Sequence, residues 1–372
     1  MAQWAAYGAG IVHFGSDPGL AACLASLRAQ THPPARIVVI DHDDPASPDP
    51  RRAALQAGFP EVDWIHAPNG GYAAGANRVV ARVLDGARGE PGAPRSAEGR
   101  TDGRAAAAPI EFVLVLNPDV ELAPDFAAQI LAEVERRPDV ALASGKLLRP
   151  GGRLIDSAGI ERRRSRRFHD RGSEEPDDGR YDRVETVFAV SGAALWLRRS
   201  ALASLALDGE LFDEDFFTYH EDTDLAWRAG RLGMRCLYVP AARAIHVRGW
   251  RRGGRTRVAE AIRRHSFKNR YLELIKNESP LALLRDLPFV LPVELARLGL
   301  AVFGDRALLG AYREAFRLAG RAFRKRAVLR GKRRALGRPA VIGRGAARVV
   351  PALSGAAIAP IASAGPGLTE GN

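Results

Sequence analysis

Glu221-Asp222-Thr223-Asp224, ahead of Leu225-Ala226-Trp227-Arg228, holds the carboxylates of this chain best placed to move a proton. The apolar spacing that follows predicts a helix, with Glu221 and Asp222 in its first turn. There the positive end of the helix dipole favours an ionised carboxylate able to accept a proton. Asp224 and Arg228 have the i,i+4 spacing of a helix ion pair, so Asp224 reads as structural. Asp213 and Glu221 bring more carboxylate to this point than a cap requires, which makes Asp222 the candidate general base. Downstream, His246 ends the short apolar run before Val247. It is either a structural histidine or a metal ligand, and imidazole suits Mn2+ better than Mg2+.

A second carboxylate stands at Leu114-Val115-Leu116-Asn117-Pro118-Asp119. The apolar run predicts a buried strand, the proline stops its ladder, and Asp119 is presented at the exit. Such a carboxylate suits a hard divalent cation bridging two phosphates; an Asx turn would use the same residues.

These groups need a scaffold, and the first 150 residues supply one pattern: short β-branched runs alternating with helices, as in a parallel sheet flanked by helices. Strands are predicted at 11–14, 36–41, 62–66, 112–116 and 140–146, with helices around 20–27, 73–84 and 124–137. Ligands gather at the carboxyl ends of such strands. The exits Phe14-Gly15-Ser16, Asp41-His42-Asp43, Pro68-Asn69-Gly70-Gly71 and Asn117-Pro118-Asp119 are therefore expected to face one cleft. Asp41 suits a hydrogen bond from a nucleobase or ribose, and Gly70, Gly71 and Gly75 would let backbone approach a ligand or simply make a tight turn into a helix. Residues 86–108 read as a disordered insertion and 150–182 as a mobile loop region with a short hairpin. Strands near 186–190 and 193–197 and a helix after Arg199 follow. Past His246 the chain turns helical, over 258–276 and then in two or three amphipathic helices within 281–330, before an Ala, Gly and Pro-rich tail after 338.

The composition sets the class. With 372 residues, 46% of them apolar, the chain can bury a large core. Its formal charge of +12 is concentrated in basic runs at 162–171, 248–264 and 321–338, which favours an anionic partner. No nucleic-acid-binding motif accompanies the charge, so an anionic membrane surface is the expected partner, met by Leu-rich faces beside Arg321, Arg324, Lys325, Arg326 and Lys332. Cys23 and Cys236 sit among apolar neighbours and read as buried free thiols in a reducing, cytoplasmic setting. The apolar start of the chain lacks a basic lead and reads as a first strand rather than a signal peptide. In 281–304, Arg285, Asp286, Glu294 and Arg297 interrupt the most hydrophobic long stretch, and no transmembrane helix is expected.

In order along the chain, Cys23-Leu24-Ala25-Ser26-Leu27-Arg28-Ala29-Gln30-Thr31, Ile37-Val38-Val39-Ile40-Asp41, Asn69-Gly70-Gly71-Tyr72-Ala73-Ala74-Gly75-Ala76-Asn77, Leu116-Asn117-Pro118-Asp119, Ser191-Gly192-Ala193-Ala194, Phe212-Asp213-Glu214 and Glu221-Asp222-Thr223-Asp224-Leu225 resemble the motifs of family 2 glycosyltransferases of the GT-A fold, in particular the bacterial rhamnosyltransferase-like branch. The resemblance covers residues 10–276. It implies a GT-A domain over 1–256, α/β with a mixed, mainly parallel sheet, then a helical extension over 257–338 and a low-complexity tail over 339–372.

The resemblance also implies roles. Asp222 corresponds to the catalytic base of an inverting transfer, and Phe14, Asp41, Asn69, Gly71, Gly75, Asn117 and Asp119 to the side that holds a nucleotide-diphosphate sugar. Asp119 and His246 correspond to ligands of Mn2+ or Mg2+, and Gly192 and Glu221 to the acceptor side. The acceptor would be lipid-linked or a polysaccharide of the cell envelope, the donor dTDP-rhamnose, and the enzyme peripheral at the cytoplasmic face of the inner membrane. Two departures stand out: His13-Phe14-Gly15 replaces the usual Thr-Tyr-Asn, and Asp41-His42 the usual Asp-Asn. A sugar nucleotidyltransferase would share the sheet and the metal-diphosphate chemistry, but the first loop, Gly15-Ser16-Asp17-Pro18-Gly19, lacks the basic residue that class needs. A non-catalytic basic scaffold for membrane or nucleic acid is the remaining alternative.

Overall fold

The computed structural model describes residues 4–15, 18–43, 50–85, 108–248 and 259–337; most of the expected insertion and the tail after 338 lie outside them. The chain begins β1 (Tyr7–His13), α1 (Leu20–Arg28), β2 (Arg36–Asp41), α2 (Pro50–Gly58), β3 (Val62–His66), α3 (Gly71–Leu84) and β4 (Phe112–Leu116). It continues through β5 (Val120–Leu122), α4 (Phe126–Val134), β6 (Val140–Leu148), β7 (Ile155–Ser157), β8 (Ile160–Arg162), β9 (Phe168–Asp170), β10 (Glu185–Val187) and β11 (Ala194–Arg198). Then come α5 (Arg199–Leu205), α6 (Glu221–Arg231), β12 (Arg235–His246), α7 (Glu260–Asn277), α8 (Pro280–Arg285), α9 (Leu287–Gly299) and α10 (Ala307–Ala335).

One mixed sheet runs in the order β10-β12-β6-β11-β4-β1-β2-β3. The β4-β1-β2-β3 half is parallel, while β11 enters antiparallel between β4 and β6. Alternation along the buried strands sorts side chains to two faces. Ile11, Val39, Leu114 and Leu116 pack under α1 and α4, and Val12, Val38, Val113 and Val115 under α3 and α6. Each such side chain contributes about 1.5–3 kcal/mol by leaving water. β1 begins four residues earlier than expected. Its leading Tyr7-Gly8-Ala9-Gly10 hides the strand because the small residues answer a packing need: a Cβ at Gly8 or Gly10 would run into Val83 or Val79 of α3.

One expectation needs correction, the mobility of 150–182, although its short hairpin is present. The stretch 150–182 is ordered: β7 joins β6, β8 and β9 form a hairpin, and Asp156 and Arg166 are buried. Its order comes from polar partners far along the chain, with Arg166 bound to Glu278 and Asp286 (2.9 Å), so no apolar period betrays it. α2 was not anticipated because it buries no side chain. The residues Leu287–Gly304, α9 plus a π-helical turn, are long and apolar enough to cross a membrane by length and composition, and little of their surface is covered. Arg285 and Asp286 lie before that stretch. Glu294 turns inward to Arg270 (2.6 Å) and Tyr271 (2.7 Å), and the Arg297 guanidinium lies 3.9 Å from the Phe267 ring, so the outward face is left to Phe289, Leu291, Leu295 and Leu298.

Candidate active site

Strand register brings Asp119 and His246 together. β5, directly after the Asn117-Pro118-Asp119 turn, pairs antiparallel with the end of β12 so that His246 stands opposite Val120, and Val247 N–H donates to the Asp119 carbonyl (2.9 Å). His246 Nε2 then lies 3.4 Å from Asp119 Oδ1, and Nδ1 lies 2.7 Å from Asp156 Oδ2. Burial alone would lower the His246 pKa, but Asp119 and Asp156 raise it to about 9. Asp119 Oδ1 is buried and makes no well-formed hydrogen bond. A buried carboxylate oxygen in that condition is costly, and a carboxylate beside an imidazole is a donor set that Mn2+ accepts. The Asp156 bond fixes the imidazole with Nε2 toward Asp119, as an outer carboxylate does for a metal-binding histidine. The residues fit a divalent cation that would take the place of the proton on His246 Nε2, the same position that the two carboxylates make favourable for positive charge. Another cluster, His13, Asp41 and Asp43, also brings three potential ligands together at the exits of β1 and β2. Those groups already engage their surroundings, His13 with Asp41 (3.2 Å) and Asp43 with Gly15 N–H (2.6 Å).

Asp222 lies in the first turn of α6, as the spacing predicts. Its two oxygens accept from Gly192 N–H (2.9 Å) and Thr223 N–H (2.7 Å), which fix the carboxylate plane. A Cβ at position 192 would come within 3.2 Å of the Asp222 side chain, so glycine keeps that approach open. The helix end is one influence among several on the Asp222 pKa: burial raises it, the two backbone N–H groups and His220 pull it down, Asp170 pushes it up, and the net shift is upward. Glu221 is pushed up to about 8, by burial first and by Asp222 next. Burial, and then the nearby charges of Glu221, Asp222 and Asp119, raise the pKa of Tyr72, whose hydroxyl donates to the Gly192 carbonyl (3.3 Å). Gly192 N–H donates to Asp222 and the adjoining Ala193 carbonyl accepts from Asn117 N–H, which brings the base and the Asp119 turn to one end of the sheet.

This predicts a pH profile. A base works only when ionised, so transfer should rise with pH through the raised pKa of Asp222 and fall below it. In Asp170→Asn a repelling charge is gone, and the acid limb of the kcat/KM profile should move to lower pH; an unmoved or raised limb would refute the assignment.

The loop before Asp222 is strained. Phe217, Tyr219 and His220 all take positive φ (66°, 69° and 71°), a region that costs a residue with a Cβ roughly 1–3 kcal/mol. α7 holds it there. The buried Asn269 amide donates to the carbonyls of Phe216 (2.9 Å), Thr218 (2.8 Å) and Tyr219 (2.7 Å), Lys268 to that of Asp215 (2.7 Å), and Glu273 pairs with His220 (2.7 Å). Below it Lys276 binds Asp213 and Asp224 (2.9 Å), and Asp224 also binds Arg228 (2.9 Å), so Asp224 is structural as its spacing suggests.

The residues assigned to the donor side fall at strand exits. Phe14 is 65% exposed beyond β1. Asp41 is buried at the end of β2; burial would raise its pKa, but His13, Asp43 N–H and Arg52 bring it below the ordinary range. Asn69 accepts from Gly71 N–H (2.9 Å), a turn that starts α3. Gly71 has φ +88° and packs against Phe217, while a Cβ on Gly75 would lie 2.6 Å from Val12 and 2.8 Å from His42, so protein occupies the space beside both glycines. Asn117 N–H donates to Ala193 (2.9 Å), tying β4 to the Ser191-Gly192 turn. Sequence reasoning missed Tyr72, Asp156, Asp170, Arg248 and Asn269. Arg248 joins Asp156 (3.4 Å) to Asp170 (3.1 Å), and no local spacing links those positions.

Known proteins share the sequence pattern and the fold. The profile of glycosyl transferase family group 2 matches residues 112–266. N-acetylglucosaminyl-diphospho-decaprenol L-rhamnosyltransferases from two strains of Mycobacterium tuberculosis are 30% identical over 257 residues, 63% of this chain and 74% of theirs. The chain belongs to glycosyltransferase family 2. The fold of this glycosyltransferase is also that of solved GT-A structures. GalNAc-T7, crystallised with UDP, GalNAc and Mn2+, aligns with a TM-score of 0.51 at 13% identity, over 73% of this chain and 48% of that one. S. aureus TarS aligns at 0.51 and 14% identity over 89% of this chain and 53% of its own, and TarS 1–349 at 0.50 and 13% over 96% and 100%. The chain thus spans about half the length of the two longer structures.

Proposed function

We propose that this glycosyltransferase moves L-rhamnose from a dTDP donor, with inversion, to a hydroxyl of an N-acetylglucosamine joined through a diphosphate to a lipid, in assembly of a cell-envelope glycan. The name of the Mycobacterium tuberculosis relatives supports the sugar and the acceptor. The observation that carries the chemistry is Asp222: a single carboxylate, oriented by two backbone N–H groups and raised in pKa, at the end of the sheet that also holds Asp119 and His246. Asp222 takes the proton of the acceptor hydroxyl as its oxygen bonds to the anomeric carbon, and the bond from that carbon to the donor diphosphate breaks on the opposite face. The transition state is oxocarbenium-like, as in glycoside hydrolysis. Asp119 and His246 would hold the divalent cation, Mn2+ or Mg2+, whose chemistry there is to neutralise the departing diphosphate. Asp156 keeps His246 turned to that task, and Tyr72 fixes the Gly192 carbonyl beside the base.

Asp119→Ala should weaken Mn2+-dependent binding of the nucleotide sugar about tenfold or more, read as lost thermal stabilisation by donor plus Mn2+. Full stabilisation in the variant would remove Asp119 from the metal site.

The same reading places the enzyme at the cytoplasmic face of the inner membrane. For the contact with the bilayer, α8 and α9 are proposed ahead of the basic face of α10. Arg321, Arg324 and Lys325 pair with Asp215 (2.7 Å), Asp208 (3.0 Å) and Asp213 (2.6 Å), and Arg326 and Lys332 donate to main-chain carbonyls, so these cations hold α10 to the catalytic domain. The exposed apolar faces of α8 and α9 suit the bilayer surface better.

A further inference from the structure

Beside β8 and β10 lies a cavity of about 340 Å³ walled by Arg162, Arg163, Arg164, Arg166, Arg171 and Arg285. Four carboxylates neutralise part of this charge: Glu161 and Asp286 in the wall, with Glu185 and Glu278 behind it. Six guanidinium groups against four carboxylates leave a cavity that suits an anion carrying about two charges, and the size falls within the range of small-ligand sites. Buried and fully paired Arg166 builds the wall; the side chains of Arg163 and Arg285 remain 61% and 48% exposed at its mouth.

Two neighbours decide what the anion is. On one side the cavity wall touches the helix that carries the base. Arg162 lies 4.5 Å over the Trp227 ring and 5.2 Å over the Phe188 ring, and Trp227 is five residues along α6 from Asp222, about 7.5 Å of helix rise. The next strand of the hairpin carries Asp170, whose charge acts on Asp222. On the other side the cavity meets the apolar helices. Arg164 lies 3.8 Å over the Phe289 ring, and Leu281, Leu284 and Leu287 beside the mouth are 65%, 68% and 42% exposed. An anionic site with a glycosyl-transfer base at one end and an uncovered apolar face at the other matches a sugar–diphosphate–lipid molecule in that order.

We propose that this arginine-lined cavity binds the diphosphate of the lipid-linked acceptor, seating its sugar toward Asp222 and its lipid along α8 and α9. The assignment rests on the acceptor class proposed above. A headgroup of the surrounding bilayer offers similar charge, but it has no reason to sit one α6 turn and a half from the base.

The test compares the full chain with R163Q/R285Q and with R162Q. Inorganic diphosphate is titrated calorimetrically with the donor site filled by excess dTDP and Mn2+; transfer is then measured to farnesyl-diphospho-N-acetylglucosamine in micelles and to benzyl N-acetylglucosaminide, which has no diphosphate. The expected result is about tenfold weaker diphosphate binding for each guanidinium removed, a matching rise in KM for the diphosphate acceptor, and no loss specific to the neutral one. Equal losses on both acceptors, or an unchanged KM for the diphosphate acceptor, would overturn the proposal. So would a variant that loses only its binding to phosphatidylglycerol vesicles, which would make the cavity a bilayer contact. If the wild-type chain transfers to neither acceptor yet binds inorganic diphosphate through these arginines, the cavity assignment stands and the acceptor assignment falls.

Discussion

Asp222→Asn should lose about a thousandfold in kcat while retaining its affinity for the nucleotide sugar. The magnitude follows from removing a general base, an effect of roughly 10²–10⁴ in rate. Donor affinity should hold because none of the donor-side residues, at the exits of β1 to β4 and in α3, bonds to Asp222, whose hydrogen-bond partners are Gly192 and Thr223. The asparagine will turn its NH2 group toward Gly192 N–H or Thr223 N–H, where the carboxylate accepts two hydrogen bonds, and the mismatch costs about 1–2 kcal/mol of stability. Melting temperature therefore has to be read beside kcat. A folded variant that turns over at near the wild-type rate would remove Asp222 from the base role.

Asn269→Ala should be nearly as damaging, although Asn269 is assigned no contact with either substrate. Its amide has two N–H groups shared among three carbonyls, and those carbonyls belong to the loop that bends through positive φ at Phe217, Tyr219 and His220. Losing the donors leaves buried carbonyls unpaired, at about 1 kcal/mol or more each, so roughly 2–4 kcal/mol in all. Without that clamp the loop can relax toward ordinary backbone and take the start of α6, and with it Asp222, out of register. The expected result is about a hundredfold fall in kcat with donor KM little changed. Asn269→Asp separates positioning from packing: it has nearly the same shape but donates nothing, so it should lose as much as the alanine variant. Wild-type kcat in Asn269→Asp would show that the three hydrogen bonds are dispensable.

Legibility in the sequence tracked the kind of force at work. β2 and β4 are buried almost throughout, so their apolar runs mark their bounds, while β3 is a half-exposed edge strand; the exits carrying Asp41, Asn69 and Asp119 follow from the three. The first turn of α6 was readable because acids there have a local electrostatic reason. The contacts that complete the site are long-range and polar. Asp156 reaches His246 across 90 positions and Asn269 reaches the strained loop across about 50, and neither leaves a period or a neighbouring motif. The stretch 150–182 around its expected hairpin read as mobile for a similar reason, since Arg166 meets Glu278 and Asp286 from a helical region more than a hundred residues away and only the scattered Ile155, Ala158 and Ile160 enter the apolar core. The basic stretch of α10 has a second use that its charge pattern does not show: Arg321, Arg324 and Lys325 pair with Asp215, Asp208 and Asp213.

One carboxylate acting in a single displacement permits only one stereochemical outcome. The most direct measurement is the anomeric configuration of the first product formed by the wild-type enzyme from dTDP-β-L-rhamnose and the diphosphate-linked N-acetylglucosamine acceptor, read by NMR before any further conversion. An α-linked product, inverted relative to the donor, is the predicted result; a β-linked product would contradict a mechanism in which Asp222 activates the acceptor for direct attack.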